Sequence, residues 1–279
     1  MPGVASRSNE LGDFLGHSDR EIRRLMLQAA VLRPITERLL RDAGIRRGMR
    51  VLDLGCGPGD VALLAAELVG RTGSVVGIDR SPEALGIAWE RARAEGCRNV
   101  VFEETSIESY SDPMPFDLVI GRYILIHQPD PAAVICRAAG LARPGGIVAF
   151  HELSAQGIMV QSFPDVSLWQ RAWEWLRLAL QAAVPSPDAG SRLIEHFDRA
   201  GLPRPTLFCE SPAGGGRESP LYALTAEALK SFAPQIVRMG LMDDDETALK
   251  SFEGRLRDAV VESCSQVVGP AQYCVWARV

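Results

Sequence analysis

The sequence predicts an α/β fold, a mostly parallel sheet with helices on both faces, and three observations predict it. Short apolar runs alternate with segments of helical period over residues 49–152, and such alternation builds βαβ units. A glycine-rich turn, Asp53-Leu54-Gly55-Cys56-Gly57-Pro58-Gly59-Asp60, stands between the first run and the helix after it. The runs at 51–54 and 75–79 each carry a carboxylate at or near their end, Asp53 and Asp79, where parallel sheets collect their ligands.

The elements follow in order. Ser18-Asp19-Arg20-Glu21 has the form of a capping box, and Ile22, Leu25, Met26, Ala29 and Leu32 follow at helical spacing, so a helix is expected from Ser18. Pro34 is expected to break it, a second helix carrying Ile35, Leu39 and Leu40 with Gly44 as its stop. After the strand at 51–54 come a helix at 61–69, the strand at 75–79, and a helix that Ser81 caps, Pro82 opens and Gly96 ends. Further strands are expected at 99–104 and 116–121, then a helix at 131–141, a Pro144-Gly145-Gly146 turn and a fifth strand at 147–152.

Beyond Glu152 the rhythm changes. A long helix over 163–184 carries Trp169, Trp173, Leu176 and Leu180 on one stripe. A helix at 188–200 and a sixth strand at 205–210 resume the core, helices at 225–239 and 244–263 interrupt it, and a strand at 272–279 closes it as the seventh. The chain therefore divides into N-terminal helices (1–48), a core (49–152), a helical insertion (153–187), more core (188–210), a second insertion (211–264) and the final core strand (265–279). Long insertions at the carboxyl end of a sheet are expected to build a lid.

Composition limits the partners. The 279 residues are 47% hydrophobic and 23% charged, which fits a folded globular protein. With 30 basic against 35 acidic residues, a net charge of −5 gives no electrostatic footprint for nucleic acid. No apolar run approaches the roughly 18 residues that span a bilayer, and the start of the chain lacks the pattern of a secretion signal, so no membrane partner and a cytoplasmic setting are expected. The six cysteines form no CxxC pair and are expected to be reduced and mostly buried, without a metal. Asp243-Asp244-Asp245-Glu246 reads as the acidic start of a helix rather than a metal cluster.

In the glycine turn, a dinucleotide fingerprint would place a small residue where Asp60 stands, and a carboxylate there would face a pyrophosphate. The spacing is G-x-G-x-G. Asp53 and Asp60 suit a ligand bearing an ammonium or sulfonium, and a dinucleotide oxidoreductase is disfavoured.

Three ordered blocks, VLDLGCGPGD, VVGIDRSPEAL and PFDLVIGRYILIHQPDPAAVICRAAGLARPGGIVAFHEL, make residues 49–152 resemble the class I S-adenosylmethionine-dependent methyltransferases. The resemblance is to the ubiquinone/menaquinone-methyltransferase-like group and to actinobacterial natural-product methyltransferases. It implies a Rossmann-like seven-stranded sheet with its last strand antiparallel, S-adenosyl-L-methionine as cofactor and no metal. It implies that Asp53, Gly55, Gly57 and Gly59 form the turn against the methionine half, that Asp79 holds the ribose hydroxyls, and that Arg80 lies beside the adenine. Ser106 and Ile107 stand where relatives place an Asp for the adenine amino group. Gly121 would face the methionine part, with Arg122 reaching its carboxylate.

Methyl transfer from a sulfonium releases a neutral leaving group, so positioning supplies much of the rate, and a base is needed only to take a proton from the acceptor. His127 and His151 stand after strands four and five and are the candidate catalytic residues. The insertions contribute Met159, Trp169, Trp173 and Tyr222 to an expected lining for a small apolar or aromatic acceptor. Methylation of O, N or C in secondary metabolism is the leading expectation; a non-catalytic S-adenosylmethionine-binding regulator is the alternative. A homodimer stays open.

Overall fold

A computed structural model of the chain describes residues 19–156 and 160–279, so Ser18 of the expected capping box and Met159 lie outside the described residues. Helix α1 (Asp19–Ala43) runs straight through Pro34 instead of breaking. Leu32, Ile35, Leu39 and Leu40, on both sides of the proline, are all buried, and that apolar stripe outweighs the backbone hydrogen bond the proline removes. Strand β1 (Arg50–Leu54) leads through the glycine turn into α2 (Asp60–Val69), and β2 (Ser74–Asp79) leads into α3 (Pro82–Ala94). The Ser81 hydroxyl accepts from the Ala84 amide at 3.2 Å, as the Ser-Pro pair predicts. Then come β3 (Val100–Glu104), β4 (Phe116–Arg122), a 3₁₀ turn (Leu125–His127), α4 (Pro131–Leu141) capped by Asp130, and β5 (Ala142–Leu153). The expected turn at Pro144-Gly145-Gly146 lies inside β5, where the register against β4 shifts between Phe116 and Leu118.

The expected helix over 163–184 starts later, because Phe163 belongs to a short strand, β6 (Gln161–Phe163), and α5 spans Ser167–Ala183. The helix expected at 188–200 is a 3₁₀ turn (Ala189–Arg192) followed by α6 (Leu193–Arg199). Strand β7 (Thr206–Glu210), strand β8 (Ala213–Gly214), helix α7 (Pro220–Arg238), helix α8 (Glu246–Glu262), strand β9 (Gln266–Val268) and strand β10 (Gln272–Arg278) complete the chain. Asp245 caps α8 by accepting from the Thr247 and Ala248 amides, both at 3.0 Å.

The main sheet has seven strands in the order β3-β2-β1-β4-β5-β10-β7, Rossmann-like in arrangement, with β10 antiparallel to both neighbours. Strand order reverses between β1 and β4, which opens a crevice at their carboxyl ends. Leu52, Leu54, Ile78, Leu118 and Ile120 fill the sheet's interior positions.

The chain forms two compact units. One holds Leu32 onward through β5, residues from Val184 to Pro212, and Pro270–Val279; it carries the seven-stranded sheet. The other holds α1 as far as Val31, the segment ending at Ala183, and Ala213–Gly269. There α5, α7 and α8 pack together, and β6-β9-β8 form a small antiparallel sheet that the sequence did not predict. Residues 266–268, expected in the final core strand, therefore belong to the helical unit. All six cysteines are free, but only Cys56 and Cys274 are buried; Cys97 is intermediate, and Cys136, Cys209 and Cys264 are exposed. No helix among the described residues is long and apolar enough to cross a membrane.

Candidate active site

The site is built at the carboxyl ends of β1, β2 and β4. Gly55, Gly57 and Gly59 all adopt positive φ (60°, 51° and 85°), a conformation that carries little cost only for glycine. A Cβ on Gly57 would meet nothing within 4 Å, so the middle of the turn faces open space. The Asp79 carboxylate steadies that turn, Oδ2 accepting from the Gly57 amide at 2.8 Å and Oδ1 from the Ser81 amide at 2.9 Å. A carboxylate has about four acceptor sites, which leaves capacity for further donors. Arg80 beside it is exposed.

Asp53 is buried, and its Oδ2 has no hydrogen-bond partner. Burial pushes its carboxyl up to about 8, opposed by the charge of Arg122 and a backbone hydrogen bond from Ala62. Asp60, expected to face a cationic ligand, is committed elsewhere: Oδ1 lies 2.6 Å from Arg91 and Oδ2 lies 3.5 Å from Arg122. Gly121 is buried, and a Cβ there would come within 3.0 Å of Phe150. After β3, Ser106 Oγ accepts from the Ser109 amide at 3.2 Å, and the Ile107 carbonyl accepts from Arg137 at 3.3 Å.

These residues fit S-adenosylmethionine. Asp53 offers an unpartnered buried carboxylate oxygen to a cationic group, Gly57 leaves open space, and Asp79 stands at the end of β2 with acceptor capacity. Among the described residues no group of three or more His, Cys, Asp or Glu could hold a metal.

The histidines separate. His127 is exposed at the end of the 3₁₀ turn after β4. His151 is fully buried, with Nδ1 2.9 Å from Thr36 Oγ1 and Nε2 3.1 Å from Gln272 Oε1. Burial first, then the charge of Arg122, lowers its value to about 3. With both nitrogens engaged and no surface, His151 cannot take a proton from an acceptor, which corrects the expectation of a catalytic role. Its neighbour Glu152 is equally buried; Oε1 accepts from the Ile124 and Leu125 amides at 2.8 and 2.7 Å and so orients the loop that carries His127.

The expected lining residues Trp169, Trp173 and Tyr222 belong to the apolar core of the helical unit, with Leu176, Leu229 and Phe232. Trp169 and Tyr222 expose none of their surface, the two indoles meet edge to face at 5.8 Å, and the Tyr222 hydroxyl donates to the Gly216 carbonyl at 2.9 Å. Interior packing replaces the expected ligand contact. A separate concavity of about 780 Å³, lined by Arg192, Glu195, Arg204, Leu207 and Tyr273 among others, contains none of the expected site residues. Sequence reasoning missed Tyr123, Thr36 and Gln272, which surround His151. Tyr123 has φ of 58°, an uncommon state for an aromatic residue, and no local motif announces it.

Fold and site together define a class I S-adenosylmethionine-dependent methyltransferase domain. A family profile described as "Methyltransferase domain" matches residues 45–198, and the chain belongs to that family. The ubiquinone biosynthesis O-methyltransferase of Paracidovorax citrulli is 36% identical over 110 residues, 39% of this chain and 45% of that protein. The aklanonic acid methyltransferase DauC of Streptomyces sp. (strain C5) is 38% identical over 118 residues, 42% of this chain and 54% of its own length. The chain thus aligns with about half the length of these curated relatives. The crystal structure of YcgJ from Bacillus subtilis shares the fold with a TM-score of 0.57 at 17% identity, over 87% of this chain and 97% of that one.

Proposed function

We propose that this protein transfers a methyl group from S-adenosylmethionine, by in-line displacement, to a small oxygenated aromatic or apolar metabolite. The observation that carries the reading is the unpartnered, buried carboxylate oxygen of Asp53 beside a three-glycine turn that Asp79 holds open. The names of the two relatives, one an O-methyltransferase of ubiquinone biosynthesis and one a methyltransferase of aklanonic acid, support a small-molecule acceptor.

When bound, S-adenosylmethionine supplies an electrophilic methyl group on a sulfonium whose departure as a thioether needs no proton. The chain's residues divide the remaining tasks. Asp53, once ionised, faces the cationic end; Gly57 leaves room for close backbone approach; Asp79 accepts the ribose hydroxyls. His127 takes the proton of a hydroxyl acceptor: it is exposed on a loop fixed by Glu152. Residues 213–269 lie beyond the matched family segment.

Equilibrium binding of S-adenosylhomocysteine and of NAD tests the cofactor: micromolar S-adenosylhomocysteine binding without NAD binding is expected, and the reverse overturns the reading. Mass spectrometry for a product heavier by CH₂, after incubation with S-adenosylmethionine and aromatic hydroxyl compounds, tests the transfer. His127→Ala should lower its rate by about 10²-fold while leaving S-adenosylhomocysteine binding unchanged.

A further inference from the structure

The residues around His151 form a ring of hydrogen bonds that begins at Tyr123 and returns to its chain neighbour Arg122. The Gln272 amide nitrogen donates to the Pro270 carbonyl at 2.9 Å, which turns Oε1 toward the ring. That oxygen accepts from the Tyr123 hydroxyl at 2.5 Å and lies 3.1 Å from His151 Nε2. Two acceptors cannot face each other at that distance, so Nε2 carries the proton and Nδ1 presents its lone pair. The Thr36 hydroxyl, 2.9 Å from Nδ1 and 3.2 Å from the Leu32 carbonyl, gives its one proton to the nearer Nδ1, since that lone pair has no other donor. Arg122 Nη1 closes the ring on Thr36 Oγ1 at 3.5 Å, while Nη2 lies 3.5 Å from Asp60 Oδ2.

The ring gathers α1, β4, β5 and β10 around one dipeptide, and each link is a side chain distant in sequence. It holds Tyr123 in a left-handed conformation that a tyrosine alone would leave. It also fixes the guanidinium of Arg122, whose side chain is only 10% exposed, between Thr36 and Asp60. Five N–H donors are present on a guanidinium, and the two contacts leave others for an anion.

We propose that the ring positions Arg122 to receive the carboxylate of the cofactor's methionine half, with Tyr123, Gln272, His151 and Thr36 as positioning residues. The proposal rests on S-adenosylmethionine being the cofactor. It separates these four from the glycine turn and Asp79: the ring governs the amino-acid tail of the ligand and leaves its nucleoside alone.

Two ligands test it by calorimetry: S-adenosylhomocysteine, which has the amino-acid tail, and 5′-methylthioadenosine, which lacks it. Tyr123→Phe and Thr36→Val each delete one hydroxyl and should weaken S-adenosylhomocysteine about five- to tenfold, the scale of one lost hydrogen bond, with methylthioadenosine unchanged within about twofold. Arg122→Gln should cost at least about tenfold on S-adenosylhomocysteine alone. Adding Tyr123→Phe to Arg122→Gln should then cost less than about twofold more, because the ring acts through the guanidinium. Equal weakening of both ligands, no weakening of either, or full additivity in the double variant overturns the proposal. A wild-type protein that binds neither ligand overturns the cofactor reading itself.

Discussion

The amide of Gly57 and the carboxylate of Asp79 are hydrogen-bonded at 2.8 Å, so the carboxylate at the end of β2 also sets the shape of the turn after β1. Asp79→Ala removes this brace and the Ser81 contact, together with the carboxylate proposed to accept from the ribose hydroxyls. Affinity for S-adenosylhomocysteine should fall by more than about tenfold, about 1.4 kcal/mol. An unchanged dissociation constant in a calorimetric titration would refute the assignment.

Glycines with different duties should fail differently. A Cβ on Gly73 would sit 2.5 Å from Val69 Cβ and 2.6 Å from the Met49 carbonyl oxygen, so Gly73→Ala should cost stability, about 1–3 kcal/mol, with ligand affinity kept. A Cβ on Gly57 meets no protein atom within 4 Å and projects into the open space proposed for the ligand. Gly57→Ala should therefore lose most cofactor binding for a left-handed backbone penalty of about 1–2 kcal/mol. Thermal melts paired with binding isotherms on both variants distinguish the two effects.

Burial holds Asp53 protonated up to about 8, and a cationic ligand favours its ionised form. Binding S-adenosylmethionine below that value releases a proton, so affinity should rise with pH between about 6 and 7.5, by at most about tenfold per unit. Asp53→Asn should flatten the dependence. Calorimetry in buffers of different ionisation heat counts the proton directly; no released proton would contradict the role.

Glu152 has a folded value raised to about 8 by burial, above its ordinary one, so its contribution to stability is fully present at low pH and is lost as pH rises through 8. Glu152→Gln keeps an acceptor for the Ile124 and Leu125 amides and cannot ionise. Its melting temperature relative to wild type should rise from about pH 5 to about pH 8 and level off above that. A difference independent of pH would show that the carboxyl ionises without cost.

Much of the glycine turn and its flanking carboxylates was legible because the signals are local. Asp53, the three glycines and Asp79 lie within a βαβ unit, and positive φ at Gly55, Gly57 and Gly59 is what their residue type permits. Ser81, Asp130 and Asp245 cap the helices that follow them. The acceptor side was less legible. His151 and His127 looked equivalent, each after a core strand, yet one is sealed in a polar ring and the other is exposed. Trp169 and Trp173 are one helical turn apart on an apolar stripe, a pattern that interior packing and ligand contact share.

The sequence by itself determined the α/β alternation, the glycine turn, the helix caps and the two carboxylates at strand ends, since each depends on neighbours a few residues away. Tertiary structure alone decided that α1 passes through Pro34, that residues 266–268 join the helical unit, and that Asp60 is neutralised by Arg91 and Arg122. It also decided the state of His151, whose partners Thr36 and Gln272 are 115 and 121 residues distant. Burial and pairing over such separations depend on where the folded chain brings segments together, and no local pattern encodes that.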